Sequence, residues 1–144
     1  MNCSIARALD VVGEWWTLLI VRDIGLNDVH RFDALQRELG IARNVLAARL
    51  SKLIDHGIVT TRLYHERPPR SEYHLTEKGQ ELASVLFALM EWGNRHTRGS
   101  VEVGPPLRLE HVECGSHLTA ATACPTCNVL VDGDDRRLVH SKAE

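Results

Sequence analysis

Three of the four cysteines, Cys114, Cys124 and Cys127, cluster near the end of the chain, and Cys3 stands alone at its start. With His111 the cluster makes two pairs, His111-x-x-Cys114 and Cys124-x-x-Cys127, nine residues apart. Thiolate and imidazole donors at that spacing are the ligand set of a four-coordinate zinc knuckle. A structural Zn²⁺ would anchor a segment with little core of its own, and His117 is placed to substitute for His111. A metal-free tail is the alternative. Cys3 falls one residue before a predicted helix, where a helix N-terminus favours thiolate and hence reactivity. A buried, inert thiol is the competing reading.

No other residues make a reactive constellation. His30, His56, His65, His74 and His96 are scattered and are expected on the surface or in loops. No nucleophile, base and orienter occur together, and there is neither a glycine-rich phosphate loop nor a pair of carboxylates suited to acid–base work. The chain is not expected to be an enzyme.

The 144 residues are 44% hydrophobic and 25% charged, which suits one globular domain with an appendage. No apolar run approaches the ~18 to 20 residues that span a bilayer. A basic stretch followed by an apolar core and a cleavage site is also missing at the start, so a cytoplasmic location is expected. Net charge is −2, yet residues 43–70 hold six basic groups (Arg43, Arg49, Lys52, Arg62, Arg67, Arg70) and only Asp55 and Glu66 against them. A positive face on a slightly acidic protein is an electrostatic footprint of DNA binding. A solvated loop would look the same.

The elements that carry this charge are legible from periodicity. Leu46, Leu50 and Leu53 form one apolar stripe across Ile41–Gly57, with Asn44, Ala48, Ser51 and Lys52 opposite and Arg43 and Arg49 at the margins. Gly57 stops this helix. Ahead of it, Ser4–Val12 reads as a helix with Ser4 as N-cap. Glu14–Ile24 reads as a core helix with Trp16, Leu19, Ile20 and Ile24 inward and Arg22 and Asp23 outward. Arg31–Leu39 is a third helix, with Phe32, Leu35 and Leu39 inward and Gly40–Ile41 turning into the next. Two short helices joined at a glycine, the second more basic, make a helix–turn–helix pattern.

Beyond Gly57 the period changes to two. Ile58–Tyr64 alternates as a strand, His65–Arg70 is a turn containing Pro68 and Pro69, and Glu72–Leu75 returns, so that a hairpin carries Arg67 and Arg70 at its tip. Thr76 caps a last helix reaching about His96, whose stripe of Leu82, Val85, Leu86, Leu89, Trp92 and Gly93 requires a partner surface. Self-association through this stripe, with Ile5 and Leu9, would supply the two-fold needed to read half-sites ~34 Å apart. Packing of the stripe on its own domain is the alternative. Residues 98–106 read as a linker. Leu107–Val112 and Val129–Val131 read as strands of a small β element, residues 132–135 as a turn, and the last residues as loose.

In this order the motifs resemble HxlR-type regulators, winged helix–turn–helix proteins related to the MarR group. The carriers are Cys3-x-Ile5-Ala6, Trp16-Thr17-Leu18-Leu19-Ile20, Arg31-Phe32, Leu46-x-x-Arg49-Leu50-x-x-Leu53, Gly57-Ile58-Val59, Pro68-Pro69-Arg70-x-Glu72-Tyr73-x-Leu75-Thr76-x-x-Gly79 and Trp92-Gly93. The resemblance covers residues 1 to about 97 and implies a mainly α fold with a small β-hairpin, followed by the β-rich tail.

By this resemblance the protein is a dimeric transcriptional regulator, with helix 43–56 in the major groove of double-stranded DNA and wing 62–72 near the minor groove. Arg31, Arg43, Asn44, Ala48, Arg49, Lys52, Arg62, Arg67 and Arg70 are the expected DNA contacts. Ile5, Leu9, Leu86, Leu89 and Trp92 are expected to form the dimer face of a two-domain chain, 1–97 and 98–144. Ala42 and Asn44 depart from the serine and the basic residue that relatives more often carry, and Asn44 points to adenine reading. Cys3 matches a cysteine with which some relatives sense oxidants or electrophiles. Space between the Trp15/Trp16 helix and the dimer helix would suit a small-molecule effector. A winged-helix module that binds protein instead of DNA is the alternative function.

Overall fold

The computed structural model describes residues 3–97, 107–131 and 133–136. Their order is α1 (Ser4–Val12), α2 (Trp15–Gly25), α3 (Phe32–Leu39), α4 (Arg43–Asp55), β1 (Val59–Glu66), β2 (Pro69–Leu75) and α5 (Glu77–His96). This is the mainly helical winged helix–turn–helix that the periodicities predict. The chain divides into two compact units, Met1–Leu86 and Phe87–Glu144, and the division falls within α5 where a boundary after residue 97 was expected. The expected linker 98–106, Asp132 and the end of the chain after residue 136 lie outside the described residues.

The core of the first unit is built on α2 and α4. Ile20, Val21 and Ile24 of α2 meet Leu46, Leu50 and Leu53 of α4, with Leu35, Ile41, Ile58 and Val59 closing the cluster. Burying such side chains stabilises by about 1.5–3 kcal/mol each. The α2 reading needs one correction. Asp23 does not face out: its side chain is 1% exposed, and its Oδ1 accepts from Arg22 Nη2 at 2.7 Å and Asn27 Nδ2 at 2.7 Å. Its backbone carbonyl accepts the Val29 N–H at 3.0 Å. Through Oδ1 and its backbone carbonyl Asp23 closes the α2–α3 loop on itself, while its Oδ2 is buried without a partner among the described residues. Trp16 and Leu19 are half-buried, and Thr17 and Val21 take the fully buried positions.

Glycine decides two of the bends. Gly40, at φ 62°, ends α3 and turns the chain into α4. After α4, Gly57 at φ 65° donates to the Ile54 carbonyl at 2.8 Å, and Ile58 donates to the Leu53 carbonyl at 2.9 Å. That pair of bonds is a Schellman cap, whose left-handed residue favours glycine, and Ile58 and Leu53 are both buried beside it. The same few residues receive α5. The Thr76 hydroxyl donates to the Gly57 carbonyl at 2.6 Å and accepts the Gly79 N–H at 3.2 Å, so Thr76 caps α5 as expected. A Cβ at Gly79 would overlap the Ile58 carbonyl oxygen.

Two further expectations change. Cys3, not Ser4, occupies the N-cap of α1; Ser4 opens the helix and its hydroxyl accepts from Arg7 Nη2 at 2.9 Å. The hairpin also runs further than its prolines suggest: Glu66 pairs with Pro69, leaving Arg67 and Pro68 as the turn. Pro69 is tolerated because it is the first residue of its strand. A register irregularity lies between Leu63 and His65, and Val59 alone of β1 is buried.

In the second unit, Leu107–Val112 and Val129–Val131 are not strands among the described residues. Single antiparallel bridges, Glu110 to His117 and Ala123 to Leu130, take their place. No residue of 107–131 is buried, so nothing there pays for extended sheet. Gly133–Asp135 is a short 3₁₀ turn.

Candidate nucleic-acid interface

Burying Leu46, Leu50 and Leu53 leaves Arg43, Asn44, Ala47, Ala48 and Ser51 exposed along α4. The small side chains at positions 47, 48 and 51 make a low surface that admits close approach. The N-terminus of α4 opens onto a cleft shared with α3 and the wing. Arg31, Arg37, Arg43 and Arg70 line it together with Tyr64 and Tyr73.

Two of these guanidinium groups have defined partners. Arg43 stacks over the Phe32 ring at 4.6 Å and meets Asp33 at 3.2 Å. Arg31, at the N-cap of α3, stacks over Tyr64 at 4.7 Å and pairs with Glu72 at 3.3 Å. Arg31 and Glu72 also form a β-bridge, and Tyr73 donates its N–H to the His30 carbonyl at 2.8 Å, which docks the wing on the α2–α3 loop. Exposed pairs such as Arg43–Asp33 contribute little to stability, so this guanidinium exchanges partners at little cost. Burial pushes the Tyr73 phenol above its ordinary value, opposed by the charge of Arg43. Tyr73 is therefore a neutral hydrogen-bonding group in a cationic cleft.

The expected contacts separate into three groups. Arg31, Arg43, Asn44, Ala48, Arg62, Arg67 and Arg70 are exposed. Arg49 is not on the open face: it lies 3.0 Å from the Glu14 carboxylate with only 25% of its side chain exposed, and its Nε is buried without a partner. Lys52 donates to the Asp10 carbonyl at 2.8 Å. These two cations fasten α4 to the segment that precedes α2. Sequence reasoning missed Arg37, Tyr64 and Tyr73. The charge of Arg37 is visible in the chain, but only the docking of α3 beside the wing brings it into the cleft.

His30 and His74, expected as scattered surface residues, stack with ring centroids 4.3 Å apart. His30 Nδ1 lies 2.9 Å from the Tyr73 carbonyl oxygen and Nε2 lies 2.7 Å from Asp28. They flank a cleft that also takes Ile24, Gly25, Arg62 and Leu75, beside α2 but away from Trp15 and Trp16.

The expected dimer residues also divide. Ile5 and Leu9 of α1 are exposed, as are Val85, Leu89 and Trp92, which follow one another at spacings of four and three along α5. Leu86 is a correction: at 9% exposure it belongs to the core of its own unit, because it lies one helical step from that stripe.

The four metal-ligand candidates occur as two local pairs. His111 Nδ1 is 3.2 Å from Cys114 Sγ, and Cys124 accepts hydrogen bonds from the Cys127 and Thr126 backbone N–H groups. Among the described residues no three His, Cys, Asp or Glu side chains gather around one point. Nor is any described helix long and apolar enough to cross a membrane.

Comparison with known proteins agrees with this geometry. Residues 11–100 match the model of the HxlR-like helix-turn-helix family. An HTH-type transcriptional regulator of Mycobacterium tuberculosis is 41% identical over 124 residues, which span 86% of this chain and 77% of that protein. The crystal structure of PA1607, described as a candidate transcription factor, superposes with a TM-score of 0.82 at 33% identity, covering 97% of this chain and 96% of that one. The redox regulator HypR in its oxidized form matches 69% of this chain and all of its own, with a TM-score of 0.57 and 33% identity.

Proposed function

We propose, from the premise that the chain belongs to the HxlR-like helix-turn-helix family of DNA-binding transcriptional regulators, that it binds double-stranded DNA as a homodimer with α4 in the major groove. The observation that carries this reading is the arginine-lined cleft at the start of α4, bounded by the wing. The low outer face of α4 allows the helix to enter the groove, where Arg43 and Asn44 reach base edges. Arg67 and Arg70 at the hairpin tip meet the flanking backbone or minor groove, and Arg31, Arg37 and Arg62 neutralise phosphates between. Because Ala47 and Ala48 offer no hydrogen bonds, part of the selectivity comes from DNA shape. The exposed apolar stripe on α5 and the exposed Ile5 and Leu9 of α1 support a second copy as the partner.

Selection of bound fragments from a genomic pool tests this reading. Enrichment of two-fold symmetric sites with half-sites about one helical turn apart is expected. Recovery of no preferred sequence, together with binding that is insensitive to salt, would favour a protein-interaction module.

Cys3 suits an oxidant-responsive role in the same regulator. It caps α1, is half-exposed, and stands in a chain similar to the redox regulator HypR. Peroxide would convert its thiolate to sulfenic acid, with the peroxide reduced to water.

A further inference from the structure

The two ligand pairs of the tail are the same structure repeated. The His111 N–H donates to the Ser116 carbonyl at 2.9 Å, the Gly115 N–H to the His111 carbonyl at 2.8 Å, and the Leu118 N–H to the Leu109 carbonyl at 2.8 Å. Thirteen residues later each bond recurs: Cys124 to Val129 at 3.0 Å, Asn128 to Cys124 at 2.8 Å, and Val131 to Thr122 at 2.8 Å. Gly115 and Asn128 occupy matching places in the two turns, with φ 67° and 57°. The single bridges Glu110 to His117 and Ala123 to Leu130 fall at the same offset. His111 therefore corresponds to Cys124, and Cys114 to Cys127. This correspondence rests on backbone bonds, independently of the residue types.

We infer that the tail is a two-turn zinc-binding module in which His111, Cys114, Cys124 and Cys127 ligate one Zn²⁺. In each turn the donor side chains are three residues apart and the left-handed residue follows, which brings both donors to one side. His111 Nδ1 and Cys114 Sγ lie 3.2 Å apart, close to the roughly 3.5 Å that two donors keep on a tetrahedral zinc with Zn–N of about 2.0 Å and Zn–S of about 2.3 Å. Three thiolates and one imidazole select a borderline-soft, tetrahedral ion.

The packing shows what the ion contributes. Val112 is 98% exposed, Leu130 is 73% exposed, and no residue of 107–131 is buried. A segment this short, without a core, is of the kind that metals or disulfides hold together. The two turns are half-sites, and binding a single ion draws them together, so that metal binding and ordering of the tail are one equilibrium. The segment starts from anchored ground. Asn94 of α5 donates to the Leu107 carbonyl at 2.9 Å, and Glu91 accepts the Ala120 N–H at 2.7 Å.

The test is elemental analysis of the full-length protein purified without chelators, followed by stripping and titration with Zn²⁺ and with Co²⁺ as a spectroscopic probe. One Zn²⁺ per chain, and a Co²⁺ spectrum with the sulfur charge-transfer and intense d–d bands of a tetrahedral thiolate site, are expected. Cys127→Ser should abolish both, and His111→Ala should weaken retention at least tenfold, whereas His117→Ala should leave them unchanged. Should Cys127→Ser fail to fold, the wild-type metal content and Co²⁺ spectrum still decide the matter. Protein without stoichiometric metal that takes up neither ion after reduction would overturn the proposal. So would an octahedral Co²⁺ spectrum.

Discussion

Arg49, on the helix expected to read DNA, lies 3.0 Å from the Glu14 carboxylate and keeps only a quarter of its side chain in solvent. Glu14 is the N-cap of α2, so one ion pair joins the central core helix to α4. The pair fixes the aim of α4 on the core. Glu14→Gln is expected to leave the helical content unchanged while weakening DNA binding without changing the logarithmic salt slope, because Arg49 points away from the open face. Fluorescence anisotropy across a salt series measures both. Stronger binding with a steeper slope would identify Arg49 as a phosphate contact that Glu14 holds back.

Arg43 and Arg70 line the same cleft but should fail differently. Arg43→Ala is expected to cost roughly 1 to 3 kcal/mol in binding the preferred site and little on unrelated DNA. Arg70→Ala should weaken binding to every sequence and reduce the logarithmic salt slope by about 0.9. Competition gel shifts with specific and random duplexes separate the two effects.

At Gly79 the close approach of α5 to the Ile58 carbonyl leaves no room for a methyl group. Gly79→Ala should destabilise the first unit by about 1 to 3 kcal/mol despite the better helix propensity of alanine. Thermal unfolding followed by circular dichroism reads this as a lower midpoint, whereas Gly93→Ala, whose added methyl would meet only the Thr97 side chain at 3.6 Å, should raise it or leave it unchanged.

The stripe of Val85, Leu89 and Trp92 on α5 predicts an association-defective variant. Leu89→Asp should shift the protein from dimer to monomer in light scattering coupled to size-exclusion chromatography. It should also lower affinity for a two-half-site operator much more than for a single half-site. A dimer that survives both Leu89→Asp and Trp92→Asp would place the interface elsewhere.

Mild peroxide treatment should modify Cys3, detected by mass spectrometry of the trapped sulfenic acid, and change DNA affinity in parallel. Cys3→Ser should abolish the change in affinity while leaving the affinity of reduced protein intact. Oxidation confined to Cys114, Cys124 or Cys127 would exclude Cys3 as the sensor.

The chain by itself determined whatever depends on neighbours a few residues away. The 3.6-residue recurrence of Leu46, Leu50 and Leu53 specified α4, and Gly57 specified its end, because a left-handed residue costs glycine nothing. Thr76 announced α5 through a bond to an N–H three residues on. The HisxxCys and CysxxCys pairs were legible for the same reason. Tertiary structure decided what depends on residues brought together from afar. Asp23 reads as a surface charge until Arg22, Asn27 and the Val29 backbone are seen to surround it. Leu86 reads as part of an outward stripe until the core closes over it. Arg49 reads as a free cation until Glu14 arrives from α2, and Arg37 joins Arg31, Arg43 and Arg70 only when α3 docks against the wing. Periodicity reports which face of a helix is apolar. Which charge ends beside which depends on the packing angles between helices, and those are set by the whole core.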